Sequence, residues 1–284
     1  MRRALVLVLT VLLALAGCGR TAPQPSTSAS ATTVPSVVIG TTGDQTTTVI
    51  AELYRQALTA RGRVATVTSV DADPNTQVSR LMAGELDLMP AYAWSAAEGL
   101  QADTGDAANL VPDLAAALDG EVAVLQPSKV DRAWVFVSAK PDQSLDGMPN
   151  RTRFAAPTAW RAAGDGEAGV KAVYGFTPTV TVVDDPEARL AQVTDGAVGV
   201  FDGTDPQAGD AAVHPVTDSR TMVSADPQVA LLRLELSEDD TVLEVVQQLH
   251  AQMDNAAIVS IRRQAATSGV PDAVARWLQE HPLG

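Results

Sequence analysis

The sequence predicts an α/β protein built from two lobes. Short apolar, β-branched runs alternate with helical segments along residues 37–90, and a second series of the same kind begins near residue 133. Alternating strands and helices of these lengths are typical of an α/β lobe with a largely parallel sheet. After residue 236 the pattern is helical to the end of the chain. We therefore expect a ligand site between the lobes, beyond the carboxyl ends of the strands.

The first eighteen residues have the pattern of a secretory signal. A basic stretch, MRR, precedes the apolar stretch ALVLVLTVLLALA, and small residues lead up to Cys18. About thirteen apolar residues are too few to span a bilayer of roughly 30 Å. Residues 15–18, LAGC, resemble the bacterial lipobox, in which the cysteine is lipidated and becomes the mature N-terminus. The alternative is a signal peptide with an incidental cysteine.

Cys18 is the only cysteine of the chain, so neither an intramolecular disulfide nor a CxxC redox pair can form. A lipid on Cys18 predicts a protein that is anchored to the outer face of the cell membrane. Residues 19–35, GRTAPQPSTSASATTVP, are rich in Ser, Thr, Ala and Pro and carry a single charge. Because such a segment buries too little apolar surface to fold, we predict a flexible tether.

The mature chain is strongly acidic. The formal net charge is −14, and the loss of Arg2 and Arg3 with the signal takes away two positive charges, which gives about −16. A surface of this charge is repelled by nucleic acid and by anionic lipid headgroups. We therefore expect no nucleic-acid partner and no polybasic contact with a membrane.

In the first lobe, VVIG ends in glycine and is followed by the polar loop TTGDQTTT, which opens a helix with apolar residues at helical spacing. The elements predicted here are, in order, a strand at 37–40, a helix at 49–62, a strand at 64–68, a helix at 74–84 and a strand at 86–90. Gly62 and Gly84 are the predicted helix stops.

In the second lobe and the C-terminal part, the same reading predicts strands at 133–138, 153–157, 179–183 and 197–201, helices around 167–174 and over 186–194, a strand at 229–236, and three helices within 239–253, 255–269 and 271–282. We predict that residues 36–131 and 229–284 form lobe 1 and that residues 132–228 form lobe 2.

Catalysis has little support in the sequence. His214, His250 and His281 lie in different contexts, and no HExxH, GxSxG, P-loop, GxGxxG or metal-ligand spacing is present. His250 is predicted to lie on the surface of an amphipathic helix. The acidic pairs at 184–185 and 239–240 precede predicted helices, where carboxylates favour the positive helix end. The sequence therefore predicts no enzyme, no cofactor and no metal site.

Two groups of residues are candidates for binding. The loop TTGDQTTT follows a strand and opens a helix, so its hydroxyls and free N–H groups are expected to point toward the cleft; the alternative is plain capping by Asp44 or a threonine. The rings at strand ends or in loops form the second group: Tyr92, Trp134, Trp160 and Phe201. Such rings can stack on apolar ligand surface or hold a cation. Whether Trp94 and Trp160 face the cleft or the core stays open.

With these positions in view, the chain resembles the substrate-binding proteins of osmoprotectant ABC importers, which take glycine betaine, choline, carnitine and related quaternary amines. The segments that carry the resemblance are VVIGTTGDQTT, LMAGELDLMPAYAW, LQPSKVDRAWVFVS and FAAPTAWRAAGDGEAGVKAVYGF. The resemblance covers almost all of residues 36–284. It implies the bilobal type II periplasmic-binding-protein fold, in which two α/β lobes are joined by hinge strands and close on a ligand. It also implies an ABC permease as partner and a monomeric receptor.

The resemblance implies a cage of aromatic rings around the ligand ammonium and an arginine for its carboxylate. Tyr92 matches a cage tyrosine, Trp134 matches an aromatic residue, and Thr42 stands where many members have lysine. The complete set of predicted ligand-binding residues is Tyr92, Trp134, Thr42, Asp44, Trp160, Arg161, Phe201, Asp202 and Asp226.

Three departures from the family pattern affect the ligand. Ala91 replaces the usual glutamate before Tyr92. Ala163 falls where the arginine is expected, although Arg161 is two residues away, and Asp226 falls at the position of a tyrosine. A site with fewer rings and an extra carboxylate should be worse for betaine. It could suit a cation that lacks a carboxylate, or a different polar solute.

The sequence therefore predicts an extracytoplasmic, lipid-anchored solute-binding protein of an ABC importer, which binds a small osmoprotectant-like solute by closure of its lobes. The alternative is a signalling or assembly lipoprotein that keeps the fold around a degenerate ligand site.

Overall fold

Two β-sheets organise the structure, a computed structural model that describes residues 36–102 and 108–284. These residues belong to one folded unit, Pro35–Gly284. The predicted signal sequence, the tether and Cys18 lie outside the described residues.

Eleven strands are present in the described ranges: Val37–Thr41 (β1), Ala65–Ser69 (β2), Leu88–Tyr92 (β3), Val122–Val124 (β4), Trp134–Ser138 (β5), Gln143–Ser144 (β6), Arg153–Ala156 (β7), Thr179–Val182 (β8), Val198–Asp202 (β9), His214–Thr217 (β10) and Gln228–Arg233 (β11).

The α-helices of the same ranges are Gln45–Ala60 (α1), Pro74–Met82 (α2), Ala93–Gly99 (α3), Leu110–Ala117 (α4), Thr158–Ala162 (α5), Glu167–Gly169 (α6), Pro186–Thr194 (α7), Asp240–Gln252 (α8), Asn255–Ser268 (α9) and Val270–Glu280 (α10). The turn α6 continues as a π-helix over Val170–Tyr174, and two 3₁₀ helices span Pro206–Gly209 and Leu234–Glu238. None of the described helices has both the length and the apolar content that crossing a bilayer requires.

The first sheet has the strand order β2-β1-β3-β11-β4. β1 runs parallel to β2 and β3, whereas β11 runs antiparallel to β3 and β4. Parallel neighbours need a crossover, which α1 and α2 supply. The strand–helix alternation predicted over residues 37–90 is therefore confirmed. The edge strand β4 has three residues, too few for an alternation pattern to reveal it.

The second sheet has the order β6-β10-β5-β9-β7-β8. β7 runs parallel to β8 and β9, and β5 runs antiparallel to β9 and β10. Each sheet thus joins parallel pairs to antiparallel ones, where a largely parallel sheet was predicted. The physical reason is that β5 and β11 are entered directly from the segments that cross between the sheets, so no helical crossover forces them to run parallel.

The core beneath the first sheet forms around α1. The side chain of Asp44 caps the helix by accepting the N–H groups of Thr46 and Thr47, each at 3.0 Å. The helix ends at Ala60, and Gly62 follows with a φ of +77°, a conformation that favours glycine. The apolar positions predicted for this helix are all buried: Val49, Ile50, Leu53, Tyr54, Ala57 and Leu58. They pack with α8 and α10 into one cluster.

The chain crosses from the first sheet to the second between β4 and β5, and it returns between β10 and β11. Asn255 of α9 holds the outgoing segment: its Oδ1 accepts the N–H of Asp131 at 2.7 Å, and its Nδ2 donates to the carbonyl oxygens of Asp131 and Gly203 at 2.8 and 3.1 Å. Asp131 Oδ1 in turn accepts the N–H of Asp226, on the returning segment, at 2.8 Å. The two segments that cross between the sheets are thus hydrogen-bonded to each other through Asp131. The lobe boundaries proposed from the sequence stay a prediction.

The prediction that His250 lies on a helix surface is wrong. Its side chain is buried in α8, with Nδ1 2.6 Å from the carbonyl oxygen of Gln126 and Nε2 2.6 Å from the Tyr54 hydroxyl. Burial lowers the pKa of His250 to about 4. The imidazole is therefore neutral at pH 7, with Nδ1–H donating to Gln126. Helical spacing alone does not distinguish such a residue from an exposed one.

Candidate functional site

A cavity of about 650 Å³ opens between the two sheets. Its walls come from the loops after β1, β8 and β9, the start of β5, helices α3, α5, α7 and α9, and the two crossing segments. The charged and aromatic residues that line it are Asp44, Trp94, Glu98, Arg132, Trp134, Asp165, Asp184, Arg189, Asp202, Asp205, Asp226 and Arg262. The volume falls within the usual range for small-molecule sites.

The charge on this lining is predominantly negative. Seven carboxylates face three guanidinium groups, an excess of four formal negative charges. Two of the three arginines share one carboxylate: Arg262 lies 2.9 Å from Asp205, and Arg189 lies 3.9 Å from it. A cleft lined by one sign of charge concentrates ligands of the opposite sign. The cavity therefore suits a small cation better than an anion.

Arg132, on the outgoing crossing segment, is held from several sides. Its Nη2 donates to the Ser95 hydroxyl at 2.6 Å and to Asp226 Oδ2 at 3.4 Å. Its Nε lies 3.9 Å from Asp202 Oδ2. Asp226 also accepts the N–H groups of Trp94 and Ser95, at 2.8 and 3.2 Å. Asp226 therefore links the first turn of α3 to the guanidinium group of Arg132.

Asp202 closes β9 and lines the cavity. Burial raises the pKa of its carboxyl from 3.8 to about 6, although hydrogen bonds from Thr204 and the charge of Arg132 act in the opposite direction. The N–H and the hydroxyl of Thr204 donate to Asp202 Oδ1 at 2.8 and 2.7 Å. The carboxyl is ionised at pH 7 and mostly protonated at pH 5. The charge of the cavity thus changes just below neutral pH.

Two tryptophans line the cavity. Trp134 begins β5 and lies directly opposite Asp202 in the antiparallel pairing of β5 with β9, so the two side chains share one face of the sheet. Trp94 lies in the first turn of α3 and also lines the cavity. Trp94 is half-buried: it packs against an apolar cluster of the first sheet and also lines the cavity, so it contributes to both core and cleft.

Asp44 caps helix α1, which is one of the two alternatives that the sequence left open for the loop, and Thr42 donates a hydrogen bond to this cap. The Thr42 hydroxyl donates to Asp44 Oδ2 at 2.5 Å, and the Thr47 hydroxyl donates to the same oxygen. Desolvation raises the pKa of Asp44, but these hydrogen bonds lower it by more, so its pKa lies below the ordinary value. Asp44 also lines the cavity. Contact of either residue with a solute stays a prediction.

Trp160 and Arg161 were predicted to contact the solute, but neither side chain lines the cavity. On α5 it is Ala159 and Ala162 that line the cavity. Trp160 is fully buried, stacked on Phe154 at a centroid distance of 5.8 Å. Arg161 is exposed, and its Nε lies 3.0 Å from Glu167. Because successive residues of a helix point in directions about 100° apart, the residues between the two alanines cannot share their face.

Phe201 is a third correction, because its ring is fully buried below the second sheet and does not line the cavity. It packs with Val137 and Val193, and the guanidinium carbon of Arg189 lies 4.8 Å from its ring centroid. Neighbouring residues of a strand point to opposite faces. Since Asp202 faces the cavity, Phe201 points away from it.

Tyr92 lines a second, smaller cavity of about 240 Å³, together with Thr42, Ala91 and Arg132. The ring is buried, and its hydroxyl has no hydrogen-bond partner among the described residues. Burial and the nearby charge of Asp202 raise the pKa of Tyr92 well above its ordinary value. Ala91, where the resemblance implies glutamate, also lines this cavity.

The sequence reading missed Arg132, which is central to the geometry of the site. Its partners Tyr92, Ser95, Asp202 and Asp226 come from three separate parts of the chain. The feature of the sequence that could have indicated Arg132 is its position, two residues before Trp134 in the segment KVDRAW. A charged residue next to a strand start is too common to single out.

The sequence profile of the substrate-binding domain of ABC-type glycine betaine transport systems matches residues 35–280. No protein of curated function matches the sequence. A solved glycine betaine/carnitine/choline ABC transporter structure superposes with a TM-score of 0.74 at 15% identity, over 86% of this chain and 98% of that one. Apo YehZ from Escherichia coli gives 0.69 at 18% identity, over 88% and 100%. Lactococcal OpuAC, closed with glycine betaine, gives 0.59 at 12% identity, over 87% and 96%. These similarities confirm the bilobal type II periplasmic-binding-protein fold.

Proposed function

The chain belongs to the family of substrate-binding domains of ABC-type glycine betaine transport systems, and from this membership we propose that it captures a small organic cation without a carboxylate and delivers it to an ABC permease. The lobes close on the solute in the cavity between the sheets, and no bond is made or broken.

The observation that carries the choice of ligand is the charge of the cavity lining, with seven carboxylates and three arginines. Trp94 and Trp134 add two rings that can attract a cation through their faces. Arg132 already has Asp226 and Asp202 as partners, so it is not free for a ligand carboxylate. A zwitterion such as glycine betaine would bring a negative charge into an excess of negative charge.

Isothermal titration calorimetry of three probes tests this choice. Choline carries the charge, 3,3-dimethylbutan-1-ol has nearly the same shape without it, and glycine betaine adds a carboxylate. We expect choline to bind at least tenfold more tightly than the other two, a difference of about 1.4 kcal/mol. Equal binding of the neutral analogue, or tighter binding of glycine betaine, contradicts the proposal. So does the absence of any binding tighter than about 1 mM, roughly −4 kcal/mol.

Tryptophan variants show whether the probe occupies this cavity. Trp134→Leu and Trp94→Leu should each weaken choline binding about tenfold, since each removes a ring from the lining. Trp277→Leu is the matched control, because Trp277 of α10 stacks on His281, just past the end of that helix, and does not line the cavity. That variant should lose stability and keep its affinity for choline.

Lipid anchoring through Cys18 is part of the proposal and rests on residues 15–18, LAGC, after an apolar stretch. It places the receptor at the outer face of the cell membrane. Cys18→Ser should move the protein from the membrane fraction to the medium. Retention of this variant in the membrane fraction contradicts anchoring at Cys18.

One observation favours the alternative of a signalling or assembly lipoprotein: the ring of Tyr92, the matched cage tyrosine, is buried and covered by Arg132. A thermal-shift screen separates the two functions. A solute at 100 times its dissociation constant stabilises the folded state by about 2.7 kcal/mol. No shift across a broad set of small cations, together with a stable protein partner, favours the alternative.

A further inference from the structure

A cation of the protein itself already covers the ring of Tyr92. The guanidinium carbon of Arg132 lies 4.3 Å from the ring centroid, well within the roughly 6 Å over which a ring face attracts a cation. The side chain of Tyr92 is only 4% exposed. The ring therefore has little free surface for a solute.

The guanidinium group is fixed in this position by bonds on its other sides. The Ser95 hydroxyl and Asp226 accept from Nη2 at 2.6 and 3.4 Å. Ser95 lies on α3, next to the first sheet, and Asp226 lies on the returning crossing segment. The residue before it, Asp131, is bound through its backbone to Asn255. Main chain and side chain of Arg132 are thus both held, and its guanidinium is not a mobile surface charge.

Arg132 also divides the space of the site. It lines the cavity of about 650 Å³ and the smaller one of about 240 Å³, whereas Tyr92 lines only the smaller cavity. A solute in the larger cavity reaches Trp94 and Trp134 and meets Arg132 before Tyr92.

We propose that Arg132 is a tethered cation that occupies the ring face of Tyr92 and thereby excludes the solute from it, so that the cationic group of the solute binds on the Trp94 and Trp134 side. This inference rests on the proposed function in one respect, that the solute is a cation. It makes Arg132 a residue that sets specificity, because its side chain decides how many rings and how much volume a ligand can use.

The prediction is that removing the side chain uncovers a second cation site. Arg132→Ala joins the two cavities and frees the face of Tyr92 beside Asp202 and Asp226. Tetramethylammonium is a suitable probe, because it cannot donate hydrogen bonds and so reports ring faces and carboxylates alone. We expect Arg132→Ala to bind tetramethylammonium at least tenfold more tightly than the wild type, measured by calorimetry at constant ionic strength.

Two variants separate this effect from the mere loss of a positive charge. Arg262→Ala also removes a guanidinium group from the cavity lining, but no ring lies beneath Arg262 in the described structure. It should gain less than threefold. The double variant Arg132→Ala/Tyr92→Leu should lose the gain. An equal gain in Arg262→Ala, or a gain that survives in the double variant, overturns the proposal.

Tyr92→Leu in the wild-type background keeps the test decisive if Arg132→Ala does not fold. Since the solute does not touch Tyr92, this variant should bind choline within about twofold of the wild type, whereas Trp134→Leu weakens binding. A tenfold loss in Tyr92→Leu overturns the proposal. If the wild type binds no small cation, the proposed function fails, while a Tyr92-dependent gain in Arg132→Ala still supports the tethered cation.

Discussion

The raised pKa of Asp202 makes its ionised form unfavourable in the folded state. The pKa is about 6 in the fold and 3.8 as the ordinary value, so the folded protein binds more protons between these two values. Stability therefore rises as the pH falls from about 6 to about 4, and at pH 7 the ionised carboxylate weakens the fold by up to about 3 kcal/mol.

We therefore predict that Asp202→Asn raises the free energy of unfolding by about 1–3 kcal/mol at pH 7. The amide oxygen still accepts from Thr204, so the turn keeps its hydrogen bonds. Urea unfolding at pH 7 and pH 4 measures the effect, and the two proteins should converge at pH 4. Asp195→Asn, at a side chain that is 77% exposed, is the control and should change stability by less than about 0.5 kcal/mol. A destabilised Asp202→Asn at pH 7 contradicts the prediction.

At the scale of single residues, strand alternation already shows that the predicted pair Phe201 and Asp202 could not both face the cleft. Side-chain direction was thus partly readable from the sequence. The position of Arg132 was not, because its contacts with Tyr92 and Asp226 arise only when distant segments meet. Tyr92 was correctly placed at a strand end, but its covering by Arg132 depends on tertiary structure.

At the scale of elements, the junction around Gly203 is tightly packed. A Cβ atom there would lie 2.8 Å from the carbonyl oxygen of Asp131, 3.0 Å from Asn255 Nδ2 and 3.1 Å from the carbonyl oxygen of Ala133. All three atoms belong to the segment that crosses between the sheets or to the residue that holds it. This junction leaves no room for a side chain.

Gly203→Ala should therefore lower the free energy of unfolding by about 1–3 kcal/mol, because overpacking forces the crossing segment to move. Chemical denaturation measures the loss. Gly164→Ala is the matched control, since its Cβ would meet no atom within 4 Å. It should be neutral or slightly stabilising. Equal stability of the two variants would show that the junction yields more easily than its contacts indicate.

Elements with strong periodicity were predictable, and those set by long-range pairing were not. α1 has its apolar stripe and its stop in adjacent residues, so its presence could be predicted, but it begins at Gln45, four residues before the predicted start at Val49, because its first turn consists of polar residues. The three-residue strand β4 and the antiparallel direction of β11 follow from pairing across more than 100 residues of sequence, for example Leu232 with Ala123. Local patterns contain no information about such partners.

At the scale of the whole molecule, affinity for a cation should depend on pH through Asp202. If binding requires the ionised carboxylate, with a pKa of about 6 in the free protein, affinity for choline falls about tenfold between pH 7 and pH 5. Calorimetry across this range measures the change. Asp202→Asn should bind choline more weakly at pH 7 and show no such dependence. An unchanged wild-type affinity at pH 5 contradicts a role for this charge.

The bilobal fold was predictable because strands and helices alternate in both halves, and because four segments in order resembled one family. The ligand was only partly predictable. The sequence showed the departures at Ala91, Ala163 and Asp226, which argue against betaine. The charge excess of the cavity could be counted only once the structure had brought its seven carboxylates together.

The register of β5 with β9 limits how this site can change. Trp134 and Asp202 share a face only because they are directly opposite in that pairing. An insertion or deletion of one residue in either strand would turn one of the two side chains to the far side of the sheet. Point substitutions at these positions can alter the ligand without disturbing the fold, whereas length changes in the two strands remove the ring or the charge altogether. The ligand preference of this face can therefore change through substitution of its side chains but not through a change in the length of its strands.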